Sequence, residues 1–154
     1  MKLKDFDFRI WDGKKYINNV KGGVYIHKIN DYIKCLKRNQ DCYDYEFELD
    51  DLDNSNLEIE LFTGFYDKNG KKIFEGDILE YTRWCEQYME DAEHSETIYK
   101  VVCFDTNGGL YSKLLNREFG WFFEHFMNDK NNTIEEMSII GNIHENKELL
   151  NVRL

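Results

Sequence analysis

Apolar and polar side chains alternate with a period of two along much of the chain, the spacing of half-buried β-strands. Phe6, Phe8 and Ile10 fall on one face of an opening strand, with Asp7, Arg9 and Trp11 on the other. Asp12-Gly13 supplies a turn into residues 14–20, and Gly22-Gly23 supplies another into VYIHKI, which together predict an N-terminal meander. Tyr45, Phe47 and Leu49, then Leu57, Ile59 and Leu61, alternate with acidic residues and predict two strands joined by the loop DDLDNSN. The stretch from Leu61 to Thr82, LFTGFYDKNGKKIFEGDILEYT, is the densest in signal. Asn69-Gly70 can take the positive φ angles of a tight turn, and Gly76-Asp77 makes a second turn before Ile78. Gly64, Asn69, Gly70, Gly76 and Asp77 are the expected turn positions of this hairpin nucleus. Farther on, IYKVVCF turns back at Asn107-Gly108-Gly109 into LYS, and MSIIGNIHENKELL closes with a strand, a turn and a short amphipathic tail.

Two segments carry helical spacing instead. In DYIKCLKRN, Asn30 or Asp31 can cap a short helix bearing Ile33 and Leu36, or Leu36 with Tyr32. In SKLLNREFGWFFEHFMND, the residues Leu115, Phe119, Phe122 and Phe126 form one helical stripe, which Gly120 weakens by ~1 kcal/mol. Trp121 and Phe123 lie off that stripe. Residues 83–96, RWCEQYMEDAEHSE, read as an exposed helix or ordered loop between two strands. The expected fold is mainly β (α+β): a small antiparallel β-barrel or curled sheet with one or two packed helices. Its expected core contains Phe8, Ile10, Ile59, Leu61, Ile78, Val102, Phe104 and Ile140. One domain over 1–154 is expected, with an N-terminal subdomain 1–56 and a β core 57–145 interrupted by an insertion at 83–97.

Composition narrows the function classes. A chain of 154 residues with 42% hydrophobic and 16% aromatic residues can build a core without metal or disulfide support. The formal net charge of −10 disfavours a nucleic-acid partner overall, although Lys71-Lys72 and Lys34, Lys37, Arg38 could form local basic patches. Cys35, Cys42, Cys85 and Cys103 match neither a zinc knuckle nor a secreted disulfide framework. No apolar run reaches membrane-spanning length and no apolar signal core follows Met1, so a cytoplasmic protein with reduced thiols and no membrane partner is expected.

Four segments resemble a known family. They are FRIWDGKKYINNV, the Leu61–Tyr81 nucleus with its T-G-x-x-D-x-N-G-x-x-I-x-E-G-D-I pattern, YKVVCFDTNGG, and IIGNIHENKELL. Together they resemble the YopX family of small phage and prophage proteins over nearly the whole chain. The resemblance implies a phage or prophage origin in a bacterial host. It brings no catalytic residues with it. The stretches 24–56 and 83–97 match no pattern of that family.

Candidate chemistry is sparse. Asp51, Asp53 and Glu58 lack the glycine and the glutamate spacing of a calcium loop, so a solvated acidic loop is expected there. Glu86, Glu90 and Glu93 would line one helix face, either as a solvated surface or as a site for a basic partner. His27, His94, His125 and His144 are scattered without zinc-ligand spacing. Asp67 and Asp77 sit beside turns, where a carboxylate commonly accepts backbone hydrogen bonds. No phosphate loop, hydrolase elbow or HExxH signature occurs, so no catalytic residue, metal or cofactor is expected. The resulting expectation is a non-enzymatic module binding a host or phage protein through acidic and aromatic surface, including Glu86, Glu90, Glu93, Trp84, Trp121 and Phe123. Mimicry of nucleic acid by carboxylates is one form of it. The alternative is a nucleic-acid-binding barrel using Trp11, Tyr66, Trp84 and Trp121 with Arg9, Lys68, Lys71 and Lys72. A small-ligand pocket or an enzyme near 83–97 is a remoter alternative. The excess of aromatic surface at Trp121 and Phe123 also predicts a homo-oligomer.

Overall fold

The computed structural model describes residues 2–17, 24–38, 49–51, 56–84, 95–105, 109–115, 120–122 and 134–151. The chain divides into two compact units, a smaller one at Asp7–Glu60 and a larger one made of Met1–Phe6 with Leu61–Leu154.

The smaller unit opens with β1 (Phe8–Trp11), whose alternation places Ile10 in the core. A turn at Gly13, with φ of +90°, lets Ile17 donate its amide back to the Ile10 carbonyl at 3.0 Å. β2 (Val24–Ile29) and β3 (Tyr32–Arg38) then form an antiparallel hairpin in unbroken register from Val24 opposite Lys37 to Ile29 opposite Tyr32. The short β4 (Leu49–Asp51) adds to β3, giving the strand order β2-β3-β4. This hairpin corrects the helix expected from DYIKCLKRN. Asn30, at φ of +52°, takes the left-handed conformation of a two-residue turn, as asparagine tolerates. The run Tyr32–Leu36 thereby meets an apolar strand of matching length. Cross-strand pairing outweighs a weak helical spacing that no tertiary contact supports. Ile10, Ile17 and Cys35 form the small core, with Phe8, Val24 and Leu57 packed against it.

β5 (Glu58–Tyr66) carries the chain from one unit into the other. Its later residues pair antiparallel with β6 (Lys72–Phe74). Pairing of β5 with β6 shifts register between Phe62 and Tyr66, and Gly64 at φ of +86° sits inside that bulge. The larger sheet uses β7 (Asp77–Trp84), β8 (Ser95–Asp105), β9 (Gly109–Leu114), β10 (Gly120–Phe122) and β11 (Ser138–Asn142) in the order β10-β9-β8-β7-β11. Every pairing given for it is antiparallel. Ile73, Leu79, Tyr81, Val102, Ile134 and Met137 form its core.

The mainly β character matches expectation, while three features differ. The described strands form three open sheets and no closed barrel. The helices that lie wholly within the described residues are short 3-10 segments at Leu3–Asp5, Ile134–Glu136 and Lys147–Asn151. In the segment expected to be helical around Phe119–Phe126, Gly120–Phe122 pairs with β9 as a strand. The rest of that stripe lies outside the described residues, apart from Leu115 in the turn after β9. The long connection also shortens, because Arg83 and Trp84 pair with Glu96 and Ser95 and extend β7 and β8.

Expected core positions divide accordingly. Ile10, Ile78 and Val102 are fully buried. Phe8, Leu61 and Ile140 are half-buried. Ile59 and Phe104 are exposed, at 40% and 47%. Phe104 lies near the end of β8, beyond the inward-facing Lys100 and Val102. On β5 the alternation is in the opposite phase to the hydrophobic one, since Glu60 is 3% exposed while Ile59 is not buried. A specific ion pair explains the inversion.

Candidate interaction surface

Inward Glu60 meets partners from β1 and the turn that follows it. Arg9 Nε donates to Glu60 Oε2, and the Tyr16 hydroxyl donates to the same oxygen at 3.0 Å. The Arg9 guanidinium lies over the Tyr16 ring at 4.8 Å, and Trp11 meets that ring edge-on at 5.0 Å. A buried carboxylate is tolerated when charge and hydrogen bonds compensate it. Trp11 and Arg9, two members of the expected nucleic-acid set, are therefore built into this cluster. Trp11 is buried and offers no open stacking face.

In the larger unit, the turn residues of the nucleus act as internal acceptors. Asp67 accepts the amides of Asn69 at 2.8 Å, Lys71 at 2.9 Å and Ile139 at 3.2 Å. Burial pushes its carboxyl up, but these three amides and the Asn69 carboxamide outweigh that and hold it below the usual aspartate value. The Lys68 amide donates to the Met137 carbonyl at 2.9 Å, so the nucleus turn is tied both to β11, through Ile139, and to the residue just before it. Asp77, 2% exposed, accepts the Phe74 amide at 2.8 Å across its own turn. Gly76, at φ of +79°, donates to the Val102 carbonyl and accepts from the Ile143 amide, both at 2.9 Å. Gly70 takes φ of +75° in the turn beside Asn69. Asp67 and Asp77 thus have the backbone-accepting role expected of them.

The closing IIGNIHEN segment is organised in the same way. Asn142 Oδ1 accepts the amides of His144 at 3.0 Å and Glu145 at 2.9 Å. Its own amide donates to Asn146 Oδ1 at 3.1 Å. A Cβ at Gly141 would stand 2.6 Å from Asn146 Cγ, so only glycine leaves room for that carboxamide.

The β2–β3 hairpin has a different surface. Tyr25, Ile26, Tyr32 and Ile33 are exposed, Tyr32 at 68% and Ile33 at 57%. Ile26, Ile33 and Ile59 line a cleft of about 160 Å³ that ends on Ile10, Cys35 and Leu57. Lys34 also lines it, and Lys28 lies directly opposite Ile33 in the hairpin register. Burial pushes the Cys35 thiol up, away from nucleophilic character. A second, more open groove of about 460 Å³ runs past Asp12, Asn56 and Glu58. The Asp12 carboxylate there is held below its usual value by the amides of Lys15 and Lys14.

Of the partner-binding residues expected from sequence, Glu86, Glu90, Glu93 and Phe123 lie outside the described residues. Trp84 is the last residue of β7, paired with Ser95, and Trp121 sits in β10 opposite Ser112. Of the remaining nucleic-acid set, Tyr66, Lys68, Lys71 and Lys72 are exposed, and Lys72 Nζ lies 5.1 Å from the centre of the Phe62 ring. Among the described residues no group of three His, Cys, Asp or Glu could hold a metal ion. None of their helices is long and apolar enough to cross a membrane. Sequence reasoning missed the hairpin surface, although Asn30-Asp31 between two apolar runs was a usable turn signal.

Two tied segments, the Leu61–Tyr81 nucleus and the closing strand, are the most specific of those that resemble YopX proteins. The family model described as YopX protein matches residues 7–151. The chain belongs to the YopX family. A solved relative in fold is protein EF1440 from Enterococcus faecalis, whose crystal structure is similar with a TM-score of 0.54 and 25% sequence identity. The likeness covers 94% of this chain and 97% of that one. No curated protein matches the chain. Asp67, Gly76, Asp77 and Asn142, all within the quoted segments, take part in the hydrogen bonds that hold turns and strands of the larger unit together.

Proposed function

We propose that this YopX protein is a non-enzymatic binding module of phage or prophage origin that engages a host or phage protein inside the bacterial cell. The observation that carries this reading is the exposure of Tyr25, Ile26, Tyr32 and Ile33 on one hairpin. Tyr25 and Tyr32 stand on one face of the hairpin and Ile26 and Ile33 on the other, and large apolar side chains left in water on an exposed hairpin are a common mark of an interaction site. The carboxylates of the signature, Asp67 and Asp77, support the same reading, because each is engaged by backbone amides of its own turn.

The test is capture from bacterial lysate on the immobilised chain at low salt, followed by elution with rising salt. A discrete protein retained in stoichiometric amount is the expected result, and recovery of none overturns the reading. A second reading, direct binding of single-stranded nucleic acid, is favoured by one observation. Tyr25 and Tyr32 share a hairpin face with Lys34, which offers stacking rings beside a cation. Retardation of an oligonucleotide at low salt would support it, and no retardation at micromolar protein would remove it. Self-association through Trp121 and Phe123 is a separate proposal, and sedimentation as a monomer near 18.6 kDa would end it.

A further inference from the structure

The surface of the β2–β3 hairpin is specific enough to say what kind of segment it takes. Three properties bear on this. The first is the edge. Among the described residues β2 is the outer strand in the order β2-β3-β4, and every second amide and carbonyl of an outer strand points away from its neighbour. An extended peptide can add there by backbone hydrogen bonds alone. The second is the cleft. At about 160 Å³, lined by Ile26, Ile33, Ile59 and Leu57, its size suits one apolar side chain rather than a cofactor. The third is charge. Lys28 stands on β2 and Lys34 lines the cleft, both away from β4, where Asp50 lies opposite Lys37.

We propose that the β2–β3 hairpin docks an extended, acidic and apolar peptide segment of a partner protein. The segment pairs along β2 and sets one apolar side chain between Ile26, Ile33 and Ile59. This deepens the binding-module reading and rests on it. Charge selects the occupant. Lys28 lies on that outer strand, and edge lysines are a common guard against self-pairing of strands. An acidic strand finds opposite charge at the same positions. A nucleic-acid strand could stack on Tyr25 and Tyr32 but would leave the isoleucine cleft empty.

The experiment measures fluorescence anisotropy on the full chain at low salt with three labelled probes. They are a peptide alternating Leu with Glu, the same peptide with Lys for Glu, and single-stranded oligothymidylate. The Leu-Glu peptide is expected to bind at least ~10-fold more tightly than the Leu-Lys peptide. Ile33→Glu and Lys28→Glu are each expected to weaken it ~10-fold or more, about 1.4 kcal/mol per tenfold. Both residues are exposed, so both variants should melt at the native temperature. Lys28→Glu serves if Ile33→Glu fails to fold. Equal binding of the two peptides, indifference to both substitutions, binding of oligothymidylate alone, or no binding by any probe overturns the proposal. Capture of a lysate protein equally by the native chain and Ile33→Glu would overturn the docking site while leaving the binding-module reading standing.

Discussion

The two units of this protein hold their buried carboxylates by different partners, backbone amides in the larger and an arginine in the smaller. In the larger unit the recognisable residues face inward, with Asp67, Asp77, Gly76, Gly141 and Asn142 each fixing a turn or joining one strand to another. In the smaller unit the inward position of β5 carries a charged residue, Glu60, while isoleucines and tyrosines stand in water on β2 and β3. The contrast teaches that a readable motif can mark what holds a fold together rather than what the fold does.

The largest effect should come from breaking the Arg9–Glu60 pair. Removing one member of a buried ion pair leaves an uncompensated charge, so Arg9→Met is expected to cost about 3–5 kcal/mol. Adding Glu60→Leu to it should recover most of that loss in urea denaturation, because two apolar side chains leave no orphaned charge. Failure of the double variant to recover would mean that the pair also orders the backbone.

Asp67→Ala comes next. It strips an acceptor from three amides, and with part of them rescued by water the loss should be about 3 kcal/mol at neutral pH. The sign of its pH dependence follows from the lowered carboxyl. A group whose folded pKa is depressed stabilises the protein above its unfolded value, near 3.9, and that contribution fades as pH falls through the folded value. The stability difference between the native chain and Asp67→Asn should therefore narrow below about pH 4. A gap that stays constant from neutral to acid pH would show that the charge of Asp67 is not what the amides recognise.

Smaller still is Gly141→Ala, expected to cost about 1–3 kcal/mol because the Asn146 carboxamide must move. At the bottom lies Tyr32→Ser on the hairpin, expected to change stability by no more than about 0.5 kcal/mol. A loss as large as that of Asp67→Ala would place Tyr32 in the fold rather than on its surface, and so erase the contrast.

Much of the larger unit was legible in the sequence. Asn69-Gly70 and Gly76-Asp77 announce turns because glycine accepts positive φ and aspartate accepts nearby amides, and these are local properties. What could not be read was non-local. The phase of β5 depends on Arg9 and Tyr16, more than forty residues away from Glu60, and a pattern of apolar positions puts Ile59 inside by default. The segment Tyr32–Leu36 has apolar spacing compatible with either a helix or a strand, and the neighbouring Val24–Ile29 decided for the strand. Glu86, Glu90 and Glu93 suggested a binding face only through charge, and charge alone does not distinguish a site from a solvated surface.

Amide hydrogen exchange with and without the Leu-Glu peptide tests the central claim most directly, since it reports on both units at once. The amides of Asn69, Lys71 and Ile139 should be protected in the chain alone and unchanged by the peptide. The outward-pointing amides of β2, every second one between Val24 and Ile29, should exchange faster in the chain alone and slow when the peptide is present. Slowing confined to the Asp67 turn and β11, with β2 unchanged, would contradict the account by placing the binding surface on the signature itself.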